Sequence, residues 1–87
     1  MSQPVRPEDL LPDGADTCVI NDVEVRKGSV AAFVANAKRL DGLELGTPED
    51  TEVRAQLRKL VPALRAVGVL DVFTVRSETL ADLIAHA

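Results

Sequence analysis

The chain has 87 residues, a formal net charge of −4, 46% hydrophobic and 28% charged residues, a balance that belongs to one folded globular domain rather than a disordered or low-complexity chain. A single cysteine excludes a disulfide within the chain, and one cysteine with one histidine is too few ligands for a structural zinc site. No apolar run approaches the roughly 18 residues of a membrane span, and the opening residues lack the apolar core of a signal peptide, so a cytoplasmic protein without metal or cofactor is the expectation.

Residues 1–16 hold Pro4, Pro7, Pro12 and Gly14 among Glu8, Asp9, Asp13 and Asp16. Pro7 suits the first position of a helical turn, the two acids after it suit the positive end of the dipole, and Pro12 ends the turn. This stretch reads as an acidic arm. Leu10 and Leu11 are its apolar contribution, to be docked on the body or on a neighbour, or left on a fraying tail. Residues 17–87 read as one compact domain.

Thr17 to Ile20 and Val23 to Arg26 are two β-branched runs flanking Asn21-Asp22, residue types that tolerate the positive φ of a two-residue hairpin turn. A hairpin is predicted, with strands at 17–20 and 23–26. Lys27-Gly28 breaks the second strand, and Ser29 is the predicted cap of a helix in which Val30, Phe33, Val34 and Ala37 recur at helical spacing. That helix ends near Leu40, with Lys38 and Arg39 at its negative end. The loop that follows holds Leu43 and Leu45, expected to tuck beneath the helices.

Thr47-Pro48-Glu49-Asp50 is a strong helix start: a capping hydroxyl, proline at the first position and acids in the first turn. Val53, Leu57, Leu60, Val61, Leu64 and Val67 carry the pattern to Gly68. Pro62 lies inside this run and removes the bond to the Arg58 carbonyl, so the helix either bends there or divides into two. Residues 69–76 (Val-Leu-Asp-Val-Phe-Thr-Val-Arg) read as a third strand, apolar enough to be central. Ser77 or Thr79 then caps a last helix with Leu80, Leu83 and Ile84 inward.

The predicted fold is α+β: a small three-stranded sheet, made of the hairpin plus one later strand, covered on one face by three to four helices in the order β-β-α-α-β-α. An offset of 50 positions matches Val19, Val25, Arg26, Ala31, Ala35 and Ala37 identically with Val69, Val75, Arg76, Ala81, Ala85 and Ala87. Each half then reads as a strand, an arginine, a turn and a helix, and strands 23–26 and 70–75 become parallel neighbours joined by a right-handed crossover. A true duplication and the ordinary likeness of two aliphatic strand–helix units both account for the match.

No catalytic constellation emerges. Cys18 sits in a strand run far in sequence from His86, the carboxylates are scattered, and the five glycines form no phosphate loop. The chain is therefore not expected to be an enzyme, and Cys18 reads as a buried, inert thiol. Three binding readings compete. With only two phenylalanines and no other aromatic residue, the core is almost wholly aliphatic and near the stability margin for its size, which favours a non-catalytic interaction module, homo-oligomeric or bound to another protein. Its contact residues would be Ala55, Pro62, Ala63 and Ala66 on the outer face of the long helix, with Leu10 and Leu11 of the arm. Alternatively Arg26 and Arg76, at matching strand ends with Ser29 and Ser77 nearby, would bind an anion or small metabolite. The last reading is a regulatory nucleic-acid binder using Arg54, Arg58 and Arg65, which fall on one stripe of the long helix. Residues 26–65 hold eight bases against five acids, but the sequence isoelectric point near 4.8 and the scarcity of aromatic residues for base stacking weigh against it.

Overall fold

Asn21 and Asp22 take φ values of 50° and 64°, the paired left-handed conformation that closes a tight hairpin without splaying its strands. The computed structural model describes residues 4–11 and 14–87. Within it, β1 (Thr17–Ile20) and β2 (Val23–Arg26) pair antiparallel, with Thr17 opposite Arg26 and Cys18 opposite Val25. Before them, the short helix α1 (Pro7–Leu10) opens with Asp9 accepting the Arg6 backbone N–H at 3.0 Å and buries none of its residues. Pro12, the expected stop for this turn, lies outside the described residues.

Gly28, at φ 82°, redirects the chain from β2 into α2 (Ser29–Leu40). The cap is therefore Gly28 and not Ser29, whose buried hydroxyl instead donates to the Arg26 carbonyl at 2.7 Å. The inward stripe of α2 is Phe33, Ala37 and Leu40; Val30 and Val34, expected to share it, remain exposed. Leu43 packs on the core, whereas Leu45 is 82% exposed, so only one of the two loop leucines tucks under the helices.

The long helix α3 (Pro48–Val67) starts as its sequence dictates, with the Thr47 hydroxyl accepting the Asp50 N–H at 3.2 Å. It runs through Pro62 as one helix rather than two. Pro62 and Arg58 are both exposed, on the side where solvent meets the carbonyl that proline leaves without a donor. Val53, Leu57, Val61 and Leu64 form its buried seam, which meets Phe33 and Leu40 of α2 and Leu83 and Ile84 of α5 (Glu78–Ala85) in one aliphatic core. Gly68, at φ 87°, ends α3 by donating to the Leu64 and Arg65 carbonyls.

The predicted third strand does not form. Residues 69–72 are a helical turn, α4 (Val69–Val72), and residues 73–77 lead on to α5 with no ladder. The sheet is two-stranded, the five helices among the described residues dominate, and the element order is α-β-β-α-α-α-α. The cause is local. Gly68 reverses the chain at the end of α3, and Asp71 supplies an acid to the first turn that follows, with its N–H bonded to the Gly68 carbonyl at 3.0 Å. A helical turn lets the consecutive residues Val69 and Leu70 both pack on the core, which an alternating strand does not allow. The parallel neighbourhood of 23–26 and 70–75 goes with it. Of the offset-50 correspondence, only the helices at 29–40 and 78–85 keep a common conformation.

Candidate interaction surface

The apolar surface concentrates where the third strand was expected. Val72 is 77% exposed and Phe73 is 66% exposed, although Phe73 is one of only two aromatic residues in the chain. Large exposed apolar side chains are ordinary when single; adjacent ones beside apolar clefts are the mark of a contact surface. Two clefts flank the 73–77 segment, and Val75 lines both. One, of about 350 Å³, is walled by Leu70, Phe73 and Ile84, with Ala81 and Ala85 leaving it shallow. The other, of about 240 Å³, is walled by Phe33, Val34, Leu40 and Leu80, with Lys38, Asp41 and Arg76 also at its lining. Ser77 holds the end of the segment, its hydroxyl accepting the Leu80 N–H at 3.2 Å as the cap of α5.

The other predicted site residues are spread over the molecule. Arg26 ends β2, while Arg76 sits in the segment before α5, so the two no longer share a sheet rim. The hydroxyls of Ser29 and Ser77 are both spent on local backbone groups, the Arg26 carbonyl and the Leu80 N–H. On α3, Arg54 is committed to Asp50, with Nε at 3.0 and 3.1 Å from the two carboxylate oxygens, and Arg65 donates to the Ile84 carbonyl of α5 at 2.8 Å. Arg58 is exposed and makes no ion pair among the described residues. Two members of the basic stripe therefore hold the fold together. In the small-residue face, Ala55 and Pro62 are exposed and Ala63 is half-buried, but Ala66 is buried and lies inward. Leu10 is exposed on α1, and Leu11, just after it, is half-buried.

Among the described residues, Asp50 is the one buried charged side chain, 2% exposed. The Gly46 N–H donates to it at 3.1 Å, and this bond, with Arg54 beside it, holds its carboxyl below the usual aspartate value against the opposing effect of burial. Because all its partners are internal, it serves to fasten the loop before α3 to the first turn of that helix. A polar hollow of about 340 Å³ lies between α2 and α3, where Arg39 pairs with Glu49. Cys18 is half-buried on β1, less enclosed than expected, and His86 is exposed at the end of α5 beside Asp82. Among the described residues no three His, Cys, Asp or Glu side chains gather to hold a metal, and no helix is long and apolar enough to cross a membrane.

The Val72–Phe73 surface had a partial signature in sequence. A short apolar run bounded by breakers is compatible with a buried strand, a buried helical turn or an exposed patch, and periodicity alone does not separate them. Comparison with family models, curated proteins and solved structures finds no match for this chain.

Proposed function

We propose that this chain is a small non-catalytic protein-interaction module that works as a homo-oligomer, with the α4–α5 face as its contact surface. The observation that carries this reading is the exposure of Val72 and Phe73 beside the cleft walled by Leu70 and Ile84. A small chain with an aliphatic core gains most from covering such a surface. A second copy suits it because the face carries both a projecting ring, Phe73, and a hollow bordered by the small residues Ala81 and Ala85. A two-fold contact requires that self-complementarity.

Sedimentation velocity over a micromolar concentration series tests the reading. The wild-type protein is expected to associate, and Phe73→Ser is expected to sediment as a monomer while keeping its helical circular dichroism, because an exposed ring contributes little to the monomer fold. A wild-type protein that stays monomeric throughout rejects the proposal.

A further inference from the structure

The β1–β2 hairpin presents two outer edges, and only one is defended. Its two-residue turn makes Ile20 and Val23 a hydrogen-bonded pair. Farther along the ladder, the Lys27 N–H donates to the Asp16 carbonyl at 2.8 Å. Hydrogen-bonded pairs alternate, so Cys18 and Val25 bond to each other, while Thr17 and Val19 on β1, and Glu24 and Arg26 on β2, turn their backbone groups away from the hairpin. On the β2 edge both residues are charged, and the Arg26 carbonyl accepts the Ser29 hydroxyl at 2.7 Å. On the β1 edge Thr17 and Val19 are uncharged, β-branched and exposed, Val19 by 71%. Outside the hairpin neither backbone has a hydrogen-bond partner among the described residues. Sheet edges are kept from pairing by charged side chains, proline, a bulge or a covering segment. β1 holds no charged residue and no proline, and its ladder with β2 runs residue for residue without a bulge.

We infer that β1 pairs antiparallel with β1 of a second copy, about a two-fold axis at Cys18, as a contact additional to the α4–α5 face. The strand is its own complement. This register sets Thr17 of each copy against Val19 of the other, and it is the one antiparallel register in which the open residues of both strands all pair among themselves, through four backbone bonds. The facing side chains are β-branched, and β1 carries no charge to repel its copy. At the centre Cys18 meets Cys18 of the second copy at a non-hydrogen-bonded site. Cα atoms there stand about 4.5 Å apart, close enough to need a small side chain and within the span of a disulfide. The two hairpins become one four-stranded sheet, past the size at which a lone hairpin is marginal. Four bonds between short strands make a weak contact, populated on the order of 1 mM, so Phe73→Ser remains monomeric in a micromolar series. The α4–α5 face and β1 share no residue, so copies using both contacts assemble beyond a dimer.

Thiol trapping with diamide, on protein at about 1 mM, tests the pairing. Two Cys18 thiols give up their hydrogens to diamide, which is reduced to the hydrazine as the S–S bond forms. Wild type and Phe73→Ser are both expected to form the covalent dimer about tenfold or more faster than Val19→Pro, which removes a donor facing away from β2 and leaves the β1–β2 ladder whole. Rates are compared after correction for each protein's reaction with a small thiol reagent, which reads thiol exposure alone. Val19→Pro that dimerises as fast as wild type reduces the trapping to chance collision and overturns the inference. A wild-type thiol that reacts with the small reagent but is not trapped also overturns it. If Val19→Pro does not fold, amide exchange of Phe73→Ser decides. Its Thr17 and Val19 amides are expected to slow about tenfold between dilute and concentrated protein, while those of Cys18 and Ile20, already bonded to β2, change little. Thr17 and Val19 amides that exchange alike at both concentrations overturn the β1 pairing and leave the α4–α5 reading standing. Wild-type protein that stays monomeric in the micromolar series overturns the α4–α5 reading and leaves this test unchanged.

Discussion

The side-chain amide of Asn21 donates to the carbonyl of Ala66 at 2.9 Å, across 45 positions of sequence. Ala66 lies in the last turn of α3, where helix carbonyls have no donor within the helix. One residue thus turns the hairpin, through its φ of 50°, and closes the end of the longest helix. Asn21→Gly keeps the backbone freedom and deletes the bond, so it is expected to lower stability by about 1 kcal/mol. Asn21→Ala deletes the bond and adds left-handed strain, for a loss larger by about another 1 kcal/mol. Urea unfolding of both variants measures the two effects separately, and a glycine variant as stable as wild type contradicts the role given to the bond.

Asp50 makes stability depend on acid in a defined direction. Its carboxyl is held below the ordinary value of 3.8, first by the Gly46 N–H and then by Arg54. The folded protein therefore binds this proton more weakly than the unfolded chain does. The resulting contribution is fully present above the ordinary aspartate value and fades as pH falls through the lower, folded one. Asp50→Asn is expected to be less stable than wild type at neutral pH and to show a shallower loss below the ordinary value. Thermal midpoints from pH 7 downward check this, and parallel curves for the two proteins disprove it.

Arg65 is predicted to act as a fastener between helices. Its guanidinium reaches the Ile84 carbonyl near the C-terminal end of α5, an end that has no basic residue of its own. Arg65→Ala is expected to cost about 1 kcal/mol and to speed amide exchange in α5 more than in α2. Equal acceleration across the two helices counts against the assignment.

The features legible in sequence are those set by residues acting on their immediate neighbours. Asn21-Asp22 specifies a turn, Thr47-Pro48 a helix start and Gly68 a helix end, and each occupies that role. The strand at 69–76 was not decided locally. Its β-branched residues suit a sheet, but a strand needs a partner edge, and the reversal at Gly68 instead lets Val69 and Leu70 face the core together in one turn of helix. The exposed Val72–Phe73 surface was only partly legible for the same reason. Phe73 reads as interior until the turn before it carries the ring outward. The basic stripe on α3 shows the opposite limit: spacing places Arg54 and Arg65 on one face, but their partners, a buried aspartate and a carbonyl of another helix, are set by tertiary structure.

Pro62 offers a test of how far local rules are overridden. It lies in the interior of α3, lacks the N–H that would reach the Arg58 carbonyl and stands at a position where proline is about 3 kcal/mol worse than alanine in an isolated helix. The helix nevertheless continues, because Val61 and Leu64 on either side of it are buried in the core and hold the two halves in line. Pro62 itself is exposed, so alanine there opens no cavity and restores a donor for Arg58. Pro62→Ala is therefore expected to raise stability by about 1–2 kcal/mol, less than the isolated-helix figure because proline also restricts the unfolded chain. Urea midpoints measure the gain. A loss of stability in this variant shows that α3 is built around the proline rather than in spite of it.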